Sequence, residues 1–80
     1  TSKGLVRPVM KEYLVVYERT ENNWAAHAPD VPGCIVPAKT RAHVEKKFTA
    51  ALAFHFAGLK EEGYPIPEPA AEAGRVAVPA

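Results

Sequence analysis

The sequence predicts an α+β fold, a two-layer sandwich in the order β-β-β-α-β, with a mainly antiparallel sheet and one long helix on one face. Three observations predict it. A stretch headed by Thr40 and closed by Gly63 has no Pro between Pro37 and Pro65 and no Gly before Gly58, which defines a helix from about Arg41 to Glu62. Three short segments with strand character precede it, each bounded by turn residues. A last such segment, Arg75-Val76-Ala77-Val78, follows.

Residues 1–9 include Gly4 and Pro8 and show no period, so they read as an arm that pairs only loosely, through Leu5-Val6. Between Met10 and Arg19, the run Tyr13-Leu14-Val15-Val16-Tyr17 is β-branched and aromatic and too short for a good helix, which predicts the first strand. Tyr13, Val15 and Tyr17 point to one side and Leu14 and Val16 to the other, so a layer is expected on each, from this chain or a second copy. Thr20-Glu21-Asn22-Asn23 is a polar turn, its Asn side chains suited to bonding their own main chain. Trp24-Ala25-Ala26-His27-Ala28 returns as the second strand, with alanines that let another layer approach closely.

The run Pro29-Asp30-Val31-Pro32-Gly33-Cys34 cannot lie inside a helix or a central strand and predicts a rigid corner. Cys34-Ile35-Val36 is a third short strand, stopped by Pro37. At 100° per residue, Val44, Phe48, Ala51, Leu52, His55, Phe56 and Leu59 form one stripe of the helix, the face expected to cover the sheet. On that basis Leu52→Ala is expected to cost roughly 2 to 5 kcal/mol. Phe54 lies off the stripe. Pro65, Pro67 and Pro69 make an extended linker, and Pro79 places the last strand, Arg75–Val78, at an edge.

Eighty residues predict a single domain over 1–80, its core in 10–69 and a tail in 70–80. A core this small rarely supplies more than ~3 to 5 kcal/mol net. The single cysteine, Cys34, excludes an intramolecular disulfide and no Cys/His spacing suggests zinc, so self-association is expected to supply the remainder. A net charge of +1 gives no global field for nucleic acid or anionic membranes. Without a membrane span or signal-type segment, and with a lone thiol suited to a reducing compartment, a cytoplasmic protein is expected.

The chemistry-bearing residues are few. His43 and His55 lie about 18 Å apart along the helix axis, too far to share a metal. His55 reads as a core histidine and His27 as a structural or interface residue. Glu12 and Glu18 share a strand face but are separated by roughly 20 Å of chain, and Asp30 is the only Asp. Cys34 reads as a small packing residue, since nothing evident would lower its pKa. Lys46, Lys47, Lys60 and Arg41, interrupted by Glu45, Glu61 and Glu62, read as a solvated face. Neither catalytic residues nor a bound metal or cofactor is expected.

The Tyr13-to-Glu18 strand, the polar hairpin turn, Trp24, the Pro29-to-Cys34 corner, the Thr40-headed helix and the exit Gly63-Tyr64-Pro65-Ile66-Pro67-Glu68-Pro69 occur in the order and spacing of one family. Over residues 11–69 the chain resembles the HicB-like antitoxins. The resemblance implies a partial ribonuclease H-like domain without nuclease activity, which binds a small basic ribonuclease toxin, covers its active site and forms dimers or tetramers. The helix start departs from the family's pattern: Ala38-Lys39-Thr40 replaces Gly-acidic-Thr, and Arg41 and His43 follow. No stretch after Pro69 suits a helix-turn-helix, so direct DNA binding is not expected.

The expectation is therefore a non-catalytic antitoxin-type domain. Trp24, His27, Asp30 and Pro32 are its candidate partner contacts, and Leu14, Val16 and Phe54 its candidates for self-association. The alternatives are an orphan homo-oligomeric domain, or a metal-independent RNA-acting enzyme using His27 or His55.

Overall fold

A computed structural model of the chain describes residues 10–80. The expected pairing of Leu5-Val6 lies outside the described residues. The chain forms β1 (Val16–Arg19), β2 (Trp24–Ala28), β3 (Val31–Ala38) and α1 (Arg41–Glu62). The strands make an antiparallel sheet in the order β1-β2-β3, and the helix covers one face. This is the expected α+β arrangement.

Thr20, rather than the asparagines, ties the first turn: its hydroxyl donates to the Asn23 carbonyl at 2.9 Å and accepts from the Asn23 N–H at 3.1 Å. The proline corner resolves into two devices. Pro29-Asp30 is a two-residue turn joining β2 to β3, and Pro32-Gly33-Cys34 is a bulge between the pairs Ala28↔Val31 and His27↔Ile35, with Gly33 at φ 86°. β3 therefore begins at Val31 rather than Cys34, and it runs past Pro37 to Ala38, which pairs with Trp24. An edge strand tolerates both prolines because half its N–H groups owe nothing to a ladder. The ladder of β1 begins only at Val16, so Tyr13 to Val15 lead into it without pairing.

The helix ends are defined by local chemistry. Thr40 is extended at φ −127°, ψ 158°, and its hydroxyl accepts from His43 N–H at 3.1 Å. Gly63, left-handed at φ 77°, closes the other end: its N–H reaches Lys60 O at 3.1 Å and Tyr64 N–H reaches Leu59 O at 2.8 Å, a Schellman pattern. No acidic residue lies in the first turn. Arg41 there bonds Glu45 at 2.9 Å and places its guanidinium 3.5 Å from the Tyr17 ring centroid, so it clamps α1 to β1.

Val44 and Phe48 from the helix are buried with Ala26, Ala28, Val31 and Ala38 from the sheet, so the alanines of β2 do admit a close layer. Tyr13, Val15, Tyr17, Trp24, Cys34, Val36, Leu52 and Phe56 pack around this center, Cys34 as the expected packing residue. The predicted stripe is thus deep only in its first half. Leu52, His55, Phe56 and Leu59 are half-buried, because α1 lies mainly across β3 and β2 and leaves the β1 flank of the sheet less covered.

The fifth element departs from expectation: Arg75–Val78 forms no strand, and Val76 and Val78 are 85% and 69% exposed. The tail is held at three places before it leaves the body. Tyr13 Oη donates to Pro67 O, Lys11 pairs with Glu68, and Asp30 Oδ2 accepts from Ala70 and Ala71 N–H at 2.9 Å each. Those ties carry the chain across the end of the sheet to the β2–β3 turn, and Arg75–Val78 beyond them pairs with no strand of the described residues.

Candidate functional site

The sheet has a second face. Side chains alternate along a strand, so the residues between the core-facing positions point outward. The pairs Val16↔His27 and His27↔Ile35 place Val16, His27 and Ile35 in one row across all three strands, and Glu18, Ala25 and Pro37 form the next row. Ile35 is 70% exposed. No element of the described residues lies over this face. Glu18 Oε1 stands 3.8 Å from His27 Nδ1, which gives an apolar patch one acidic residue and one imidazole.

The expected contact residues separate onto different surfaces. His27, Leu14 and Val16 lie on the outer face or lead into it, so residues assigned to partner binding and to self-association share one surface. Trp24 faces the opposite way, packing beside the core with Arg19 stacked 6.0 Å from its ring centroid. Pro32 is exposed in the bulge of β3. Phe54 is 82% exposed on the outer side of α1. Asp30 is engaged by its own tail, and the two N–H groups hold its carboxyl below the ordinary 3.8. Ile35 was missed by sequence reasoning, although its place between two core-facing residues of a strand was a usable signal.

Two hollows indent the described surface. The larger, about 600 Å³, opens between the segment leading into β1 and α1 and is lined by Tyr13, Val15, Leu52, Phe56 and Ile66, with Lys11 and Lys60 among its polar residues. A shallower one beside Phe54, His55 and Tyr64 lies at the end of α1. His55 is half-buried there with its ring 6.0 Å from that of Phe56, on a different element from His27. Among the described residues no group of three or more His, Cys, Asp or Glu could hold a metal ion, and no helix is long and apolar enough to cross a membrane.

No protein-family model, curated protein or solved structure matches this chain. The likeness to HicB-like antitoxins therefore rests on the motifs quoted for it.

Proposed function

We propose that this chain is a non-catalytic binding domain of the HicB-like antitoxin type, which holds a small basic ribonuclease toxin and covers its active site. Beside the motif order, the observation that carries the reading is the outer face that no described element covers, where Val16 and Ile35 flank His27 in one row across the sheet. Burying such a row contributes roughly 25 cal/mol per Å² of apolar surface. Glu18 beside it supplies the charge a basic partner would meet.

Affinity purification of the tagged protein from its own cells, with mass spectrometry of what co-elutes at comparable stoichiometry, tests this. The expected result is a small basic protein whose ribonuclease activity returns when this chain is removed, and whose capture is lost in Ile35→Lys. Recovery of the chain alone as a homo-oligomer would replace the reading with that of an orphan self-associating domain. The unpaired, apolar tail segment favours that second reading.

A further inference from the structure

We propose that Arg75–Val78 is an exchanged strand: in a pair of chains, each tail segment adds, in the other copy, to the edge of β1 that no described residue pairs, and extends over the groove beside Tyr13 and Val15, which lead into that strand. The inference does not rest on toxin binding, which concerns the opposite face of the sheet.

The groove has the shape of a missing strand. A helix about 10 Å across covers roughly two strands spaced ~4.8 Å apart, and α1 lies mainly over β3 and β2. Among the described residues the uncovered flank is β1, which pairs with β2 alone. The apolar hollow lies beside the segment that leads into β1, with Tyr13 and Val15 on one wall, Leu52 and Phe56 on the other, and Ile66 also lining it. A fourth strand beside β1 would center the helix on the sheet and supply partners for the backbone groups of an exposed edge, which otherwise invites pairing.

The tail has the properties of that strand and does not pair with β1 of its own chain. Val76 and Val78 fall on one side of an extended segment, as a strand covering the groove requires, and both are exposed. Glu68 and Pro67 cross in front of Lys11 and Tyr13, and Asp30 then ties Ala70 and Ala71 at the β2–β3 turn. Own-chain pairing would require the tail to double back past these ties. A second copy meets no such obstacle, and two identical exchanges close a two-fold dimer. Charge agrees with this pairing: Lys60 lines the groove without a carboxylate partner among the described residues, and Glu72, similarly unpaired, precedes the exchanged segment.

Sedimentation equilibrium of the full chain, with isotope-filtered NMR on a mixture of labelled and unlabelled chains, tests the exchange. The expected result is a dimer with intermolecular contacts from the Val76 and Val78 methyls to Phe56 or Leu52. A Val76→Asp, Val78→Asp double variant is expected to keep its helix content and to weaken association about a hundredfold or more. Lys60→Glu is expected to weaken it as well, with recovery on adding Glu72→Lys. A monomer at millimolar concentration overturns the proposal, as does a dimer that the double variant leaves intact or one whose Val76 and Val78 contacts are all within one chain.

Discussion

At the residue scale, burial ranks the side chains that hold this fold. Phe48 is 1% exposed and is the largest side chain of the core, whereas Leu52, chosen from sequence for the same stripe, is half-buried at the groove. Phe48→Ala is expected to cost about 3 to 5 kcal/mol, comparable with all the stability a domain this size commonly has. Leu52→Ala is expected near the lower end of its range, about 2 kcal/mol. Urea titration checks the order, and equal losses for the two would contradict the off-center placement of α1. Asp30 makes a different prediction. Its folded-state pKa lies below the ordinary 3.8 because two backbone N–H groups bond the ionised form. The contribution is therefore complete above that ordinary value and is lost as pH falls through the lower, folded-state value. In NMR, the Ala70 and Ala71 amides are expected to shift with the Asp30 titration, and Asp30→Ala is expected to speed their exchange at neutral pH while α1 stays protected.

At the element scale, legibility followed how local the determining physics is. The bounds of α1 could be read because Thr40 and Gly63 act through bonds within a turn of themselves. Thr40→Ala is expected to cost about 1 kcal/mol, and Gly63→Ala about 1 to 2 kcal/mol, since an L side chain must take the left-handed backbone at φ 77°. Thermal melts of the two variants check this, and a neutral Gly63→Ala would mean that the Schellman closure is dispensable. The bounds of β3 were not legible in the same way. Two prolines and a glycine read as a break, yet the pairing of Val31 with Ala28 and of Ala38 with Trp24 continues around them. What decides it is that β3 is an edge, a property of sheet order and not of its own residues. The candidate site was partly legible for the same reason. Alternation placed Leu14 and Val16 opposite Tyr13 and Val15, but only the register brings His27 and Ile35 into a row with Val16. Arg41 looked out of place at a helix start until the fold set it on Tyr17.

At the scale of the whole molecule, the fold leaves more apolar surface bare than so small a core readily supports. Three of the six buried core residues among those described are alanines, and the described chain has a radius of gyration of 15.9 Å with a long axis of 56 Å. A compact chain of this size would have about 12 Å. The excess is consistent with the tail, which leaves the body at Ala71 and carries exposed valines. Stability that depends on a second copy must depend on concentration, because dilution favours the separated chains. For a two-chain unit a tenfold dilution is worth about 0.7 kcal/mol per chain, which corresponds to roughly 3 to 6 °C in the melting midpoint of a domain this small. Calorimetry between about 1 µM and about 1 mM is expected to show that slope in the native chain and to lose it in the Val76→Asp, Val78→Asp variant. A midpoint that holds constant across the whole range would mean that six residues and their half-buried surroundings carry the single chain, and that neither bare surface is needed for its folding.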